Sequence, residues 1–426
     1  MKLLPTKKQL DFLDWEFGIF FHFGIRSFYP GHKDWDGIEM PAEKFNPKEL
    51  NCEQWIKTAK DAGAKYAIFT AKHHDGFALW PSKYSRYGVA ETPWKDGKGD
   101  VVREFTDACR KYGLKVGLYY SPAQWGSHAI PFNNEKEYDD FFINQLGELL
   151  INYGKIDYLW FDGCGSEGHK YDKKRIAAEI FRMQPDILTF CNPEWAVGVR
   201  WAGNEDGYAP LNNPLVVSKT DFSELATEEQ ILSKACFLPA ECDCKIRETW
   251  FYDNNEDTLK SVDELFGMYE MSVGHGSNLL INIGPDYRGL LPEADTERIL
   301  ELGKRIKESY GKPLPYTEPQ KDGDSYTITH PDTASKADWL KPLPERLSNC
   351  VMLKEDLTQG QSVTSFRIYA YLPKYQKKKL LVYEGRTIGH KVYCRFGAIR
   401  ASKYTVEITG HDGEYEISEM RAFFVK

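Results

Sequence analysis

The stretch that decides the fold is Tyr66 to Phe77, YAIFTAKHHDGF, where an apolar run stops abruptly at Lys72, His73, His74 and Asp75. A buried strand that delivers ionisable groups at its C-terminal end is how parallel α/β folds present chemistry, because side chains there leave the core and meet loops and solvent. The stretch therefore reads as a strand ending in an active site.

Working outward, the same design recurs. Phe17 to Phe23 (FGIFFHF) ends at His22, Val116 to Ser121 (VGLYYS) at Tyr119, Tyr120 and Ser121, and Asp157 to Gly163 (DYLWFDG) at Asp162. Ile187 to Asn192 leads to Asn192 and Glu194, and Leu279 to Gly284 offers Asn282. The segments between them have helical periodicity: Asn51 to Ala62, Val101 to Tyr112 capped by Asp100, Tyr138 to Tyr153, Leu259 to Val273, and Pro292 to Tyr310. Alternating strands and helices predict parallel strands with helical crossovers, an α/β fold of the (β/α)8 TIM-barrel kind.

After about Gly311 the rhythm changes. Tyr326 to Thr329, Ser365 to Tyr371, Lys379 to Tyr383, Lys391 to Arg395, Tyr404 to Ile408 and Arg421 to Val425 read as short strands between glycine-bearing turns. The expected organisation is a barrel over 1–312 and an all-β sandwich over 313–426.

Composition bounds the partners. The chain has 426 residues, 42% hydrophobic and 28% charged, with a net charge of −8. Such a balance argues against a nucleic-acid partner, which calls for a concentrated basic face, and Lys374 to Lys379 (KYQKKK) reads as a solvated loop. No stretch approaches the roughly 20 apolar residues of a membrane span. The N-terminal residues lack the apolar core and cleavage site of a secretory signal, and the nine scattered cysteines suit reduced thiols. A cytoplasmic location is expected. Cys242 and Cys244 form a C-x-C without a second ligand pair, so no metal is expected there. Oligomeric state is not legible.

Five segments together carry a resemblance: FGIFFHFG, QWIKTAKDAGAKYAIFTAKHHDGFALWPSKYS, GDVVREFTDACRKYGLKVGLYYS, QLGELLINYGKIDYLWFDG and GHGSNLLINIGPDYRGLLPEAD. In this order, over residues 10 to 310, the chain resembles glycoside hydrolase family 29, the retaining α-L-fucosidases. RWAGNEDG at Arg200 to Gly207 is similar to the branch preferring α-1,3/1,4-linked fucose on branched oligosaccharides. Phe23 departs from the tryptophan that many members carry there, which could reshape the pocket floor. A short Gly126 to Glu137 segment leaves leaving-group preference open.

Retention needs two carboxyl groups about 5 Å apart, one ionised to attack and one protonated to donate. Asp162, at a strand end before Gly163, is the expected nucleophile and matches the family's position; the alternative is an aspartate that caps the next segment. Glu205, in a glycine-bearing loop, is the expected acid/base. Glu241, ending the apolar run Ala235 to Ala240 as a possible sixth strand, is the runner-up, ahead of Glu248 and Glu194. His22, His73 and His74 can donate and accept without a fixed charge, which suits sugar hydroxyls, and the resemblance gives them that role. Tyr119 or Tyr120 adds a hydroxyl near the nucleophile, while Lys72 and Asp75 lock the histidines in place.

Trp80, Trp125, Trp195, Trp201 and Trp250 could cover the apolar side of a deoxy sugar, Trp80 being the favoured wall. Arg200 and Arg247 could orient a carboxylate or hydroxyl. The implied partner is a fucosylated oligosaccharide or glycoconjugate. Two rivals remain: a metal-dependent hydrolase, which chelation would inactivate, and a non-catalytic fucose-binding protein on a glycosidase-like barrel.

Overall fold

The computed structural model describes residues 3–31, 38, 40–123, 135–162, 169–190, 198–220, 230–331, 347–372 and 378–426. Eight parallel strands close into a barrel: β1 (Phe17–Phe21), β2 (Tyr66–Lys72), β3 (Lys115–Tyr120), β4 (Tyr158–Phe161), β5 (Leu188–Phe190), β6 (Gly198–Trp201), then β9 (Ala240–Lys245) and β10 (Asn278–Ile283), which returns to pair with β1. Between β6 and β9 the chain forms a hairpin, β7 (Val216–Thr220) and β8 (Gln230–Phe237), outside the barrel.

Both faces of most barrel strands are apolar because both are covered. Inward, Phe20, Tyr66, Ile68, Tyr119, Tyr158, Trp160, Leu188, Phe190, Val199 and Leu280 fill the lumen. Outward, residues such as Ile19, Phe21, Phe69, Leu118 and Ile281 join the helical layer. Gly18 in β1 has no freedom to be larger, since a Cβ there would stand 2.5 Å from the Tyr66 ring.

The layer comprises α2 (Cys52–Asp61), α3 (Val101–Tyr112), α4 (Glu135–Asn152), α5 (Lys173–Met183), α6 (Val262–Ser272) and α7 (Glu293–Tyr310). Asn51 and Asp100 cap α2 and α3 as their side-chain chemistry dictates, and Gly113 ends α3 in the left-handed conformation. A short helix, α1 (Lys7–Leu13), precedes β1 and closes the N-terminal mouth by inserting Phe12 into the lumen cluster.

The C-terminal unit is a sandwich. Strands β11 (Gln320–Asp322), β12 (Ser325–Thr329), β14 (Val363–Tyr371), β15 (Lys379–Gly385) and β17 (Lys403–His411) form one sheet; β13 (Leu347–Glu355), β16 (Val392–Arg400) and β18 (Ile417–Phe423) form the other. Tyr326, Val351, Leu353, Ile368, Tyr404 and Met420 belong to the core between them. The three-stranded sheet also packs on the barrel: Cys350, Met352, Tyr393 and Phe423 share a cluster with the helices, and Tyr310 stacks on Tyr393 at 4.0 Å and 2°. Glu16, just before β1, pairs with Lys391.

One strand differs from expectation in a way that bears on the site. The run Ala235 to Ala240 is split at Pro239: its first part belongs to β8, and the barrel strand begins at Ala240. Glu241 thus stands beside Asn278 near the start of β9, while Lys245 stands beside Asn282 at its C-terminal end.

Candidate active site

Strand alternation sorts the candidates. His22 follows β1 and is buried, and Asn282 at the end of β10 accepts from its Nδ1 at 2.7 Å. Asn282 Nδ2 donates to the Trp250 carbonyl at 2.7 Å, so Asn282 Oδ1 is the acceptor and His22 carries its proton on Nδ1. Nε2 of the neutral ring is then an acceptor. Burial keeps it neutral by pushing its pKa down to about 3.

His73 and His74 leave the end of β2 with ring centres 4.3 Å apart. His73 lies parallel to Tyr119 at 5.5 Å, burial holds its pKa well below the usual range, and its buried Nδ1 has no hydrogen-bond partner among the described residues. His74 Nδ1 shares a 2.6 Å hydrogen bond with Ser121 Oγ, and its Nε2 stands 3.4 Å from Asp162 Oδ2. Tyr119 donates its hydroxyl to the same Asp162 oxygen at 2.9 Å. Asp162 keeps 26% of its side chain exposed, so a carboxylate held by a phenol and an imidazole still faces the opening.

Behind these groups, Lys72 donates to the Ala123 carbonyl at 3.0 Å and lies over the Tyr120 ring, burial pushing its pKa down to about 7. Asp75 accepts from the Phe77 backbone N–H at 2.7 Å. The two residues brace the segments carrying His74 and Ser121.

The floor is aromatic. Trp160 stacks between Tyr119 at 5.4 Å and Phe190 at 4.0 Å, with Phe20 alongside. Trp250 packs against His22 at 4.9 Å and forms part of the wall. Beneath the floor lies Glu241, fully buried, accepting from Tyr66 at 2.6 Å, Tyr158 at 3.1 Å and the Trp160 indole at 3.0 Å. Burial pushes its pKa up to about 7.

Glu205 lies on the segment after β6, 40% exposed, accepting from Lys245 Nζ at 2.9 Å. Trp201, at the end of β6, donates its indole N–H to Asp243 at 2.6 Å, a carboxyl that burial holds well above the usual range.

Three expectations are corrected. Trp80 is not the wall: the chain folds back after His74, Leu79 N donates to Ala71 O, and Trp80 is buried in the helical layer with its indole on Glu148. Arg200 alternates with the inward Val199 and Trp201, points outward, and braces Asn213 and Pro214. Phe23 likewise points outward, against Phe45 and Trp55, and leaves the pocket floor untouched. Arg247, the other arginine considered, grips Asp295 of α7 through three hydrogen bonds of 2.7–3.0 Å. Trp125, Asn192, Glu194 and Trp195 lie outside the described residues.

Lys245 and Asp243 join the site without an apolar run to announce them. Their signal was available: in AECDCK the ionisable residues fall on every second position, so a strand puts all three on one face. Cys242 and Cys244 take the opposite, outer face. Among the described residues no group of three or more His, Cys, Asp or Glu converges as a metal site would require.

Residues 5–311 match the α-L-fucosidase family. The chain belongs to that family. It is 35% identical to α-L-fucosidase 1 of Arabidopsis thaliana over 72% of its own length and 60% of the plant protein's. Among solved structures, a glycoside hydrolase 29 family member from an unknown rumen bacterium superposes with a TM-score of 0.86 at 30% identity, covering 100% of this chain and 78% of that one. A Ruminococcus gnavus GH29 fucosidase in complex with fucose gives a TM-score of 0.82 at 25% identity, covering 100% of this chain and 95% of the other. Both structures extend the likeness over the barrel and the sandwich alike.

Proposed function

We propose that this fucosidase-family chain is a retaining, exo-acting α-L-fucosidase that removes terminal α-linked L-fucose, preferring α-1,3/1,4 linkages, from oligosaccharides or glycoconjugates. The observation that carries the reading is Asp162: a partly exposed carboxylate at the end of β4, oriented by Tyr119 and His74 on the rim that His22 and His73 share. An aromatic floor closed by Phe20, Tyr119 and Trp160 suits a single terminal sugar with an apolar C6 methyl. The fucose bound in the Ruminococcus gnavus relative supports that choice of sugar.

In the first step an Asp162 oxygen bonds to the anomeric carbon as the glycosidic C–O bond breaks, and Glu205 gives its proton to the departing oxygen. In the second, water bonds to that carbon, the bond to Asp162 breaks, and Glu205 takes the water's proton. His22 Nε2 accepts a sugar hydroxyl. Glu205 rather than Glu241 has this part because Glu241 is sealed below Trp160. No cofactor is needed for either step. The seven cysteines among the described residues are free, which fits a reducing, cytoplasmic setting that cell fractionation tests.

The decisive experiment follows an aryl α-L-fucoside by NMR from the first turnover. Retention gives α-L-fucose as the initial product, and inversion overturns the mechanism. A panel of α-1,2-, α-1,3- and α-1,4-fucosylated oligosaccharides tests the linkage, which the RWAGNEDG segment supports.

A further inference from the structure

Glu205 stands between Gly203 (φ 94°) and Gly207 (φ 75°), both in the left-handed region that favours glycine. The backbone around it is tied to the barrel: Ala202 N donates to Glu241 O at 2.9 Å, and Asp206 bridges to Cys244. The side chain has a different tether. Lys245, the last residue of β9, extends from the barrel wall and donates to Glu205 Oε2 at 2.9 Å. Its ammonium also lies 5.0 Å from the centre of the Trp250 ring, and that ring packs on His22. Lys245 therefore spans the gap between the sugar-facing wall and the loop carboxylate. Two residues back on the same face, Asp243 is fixed by Trp201, so the strand beneath the lysine is pinned across the β6–β9 junction.

A carboxylate that is 40% exposed on a glycine-flanked loop has many rotamers open to it, whereas proton transfer needs placement to within about 0.5 Å. A charge-assisted bond to a rigid strand removes that freedom. We propose that Lys245 is the positioning residue for Glu205, drawing the carboxylate against the barrel wall after it has given up its proton and so aligning it for the water that releases the sugar. This rests on Glu205 being the acid/base. The attraction is strongest when Glu205 is charged. That is its state on the glycosyl-enzyme, between C–O cleavage with proton transfer to the leaving oxygen and attack by water with proton return. Lys245 consequently serves the second half-reaction more than the first.

The test compares wild type, Lys245→Met, Lys245→Arg and Glu205→Ala on an aryl α-L-fucoside whose phenol leaves without protonation, by stopped-flow burst and steady-state rates with and without azide. For Lys245→Met the burst rate should stay within about twofold of wild type while the steady-state rate falls about tenfold. Apparent KM should fall with kcat, because the glycosyl-enzyme accumulates. Azide, which attacks without losing a proton, should restore turnover, and Lys245→Arg should recover most of the loss. Equal slowing of burst and steady state, or no response to azide, overturns the proposal. Glu205→Ala separates the two readings. If azide does not rescue it, the acid/base assignment fails; if azide rescues it while Lys245→Met behaves as wild type, only the positioning role fails. Lys245→Gln substitutes should the methionine variant not fold.

Discussion

Tyr119 and Asp162 come from adjacent strands, and the phenol of one donates to the carboxylate of the other over 2.9 Å. His73 lies parallel to the Tyr119 ring on the cleft side and Trp160 stacks on it from the floor, so the donor is fixed before any substrate arrives. A hydrogen bond to a charged group is worth about 1.5–3 kcal/mol. Tyr119→Phe should therefore lower kcat/KM roughly 10- to 100-fold with little change in Tm, measured on an aryl fucoside alongside a thermal melt.

Asp162→Asn and Asp162→Ala should abolish turnover. The side chain is partly exposed and its neighbours keep other contacts, so circular dichroism and Tm should match wild type. Residual first-turnover release of the aryl group by Asp162→Ala would rule out this nucleophile.

Glu241 links stability to pH. Burial raises its pKa from the ordinary 4.5 to about 7, so the fold favours the protonated form. That contribution is full below about pH 4.5, declines as pH rises, and is gone above about pH 7; its size is on the order of 3 kcal/mol. Glu241→Gln should remove this slope. Urea unfolding of both proteins at several pH values between about 4.5 and 7.5 should show wild type losing ground to the variant; a constant difference would contradict the shift.

His22 has the opposite sign. Burial lowers its pKa from 6.5 to about 3, so the fold favours the neutral ring, a contribution complete above pH 6.5 and lost as pH falls towards 3. The His22 ring nitrogens should show no titration between about pH 5 and 8 by 15N NMR, with the proton on Nδ1 throughout.

Arg247 and Asp295 form a buried pair joining the segment after β9 to α7. Asp295→Ala strands the guanidinium and should cost about 3–5 kcal/mol, read as a lowered midpoint in denaturant.

Much of the barrel was legible because β1–β4 and β10 each combine an apolar run with a polar end, a pattern that burial on both faces imposes. The same polar ends mark the candidate site, and the fold brings His22, His73, His74, Tyr119 and Asp162 together on one rim. β9 was not legible, since Glu241, Asp243 and Lys245 occupy its inward positions and leave no apolar run to find. α5 carries no legible signal because it buries only Ile176 and Ile180, too few for a stripe. Proximity in sequence to His74 says nothing of the backward turn that sends the Trp80 indole outward.

The contacts between sandwich and barrel have a practical corollary. Glu16, Tyr310 and α1 lie at the end of the barrel where strands begin, and it is there that Lys391, Tyr393 and Leu357 are received. The cleft opens at the other end. A resin or surface coupled through the sandwich would hold this molecule from behind and leave its open side unobstructed, and trimming the sandwich away would strip cover from α6 and α7 without touching the rim that carries Asp162.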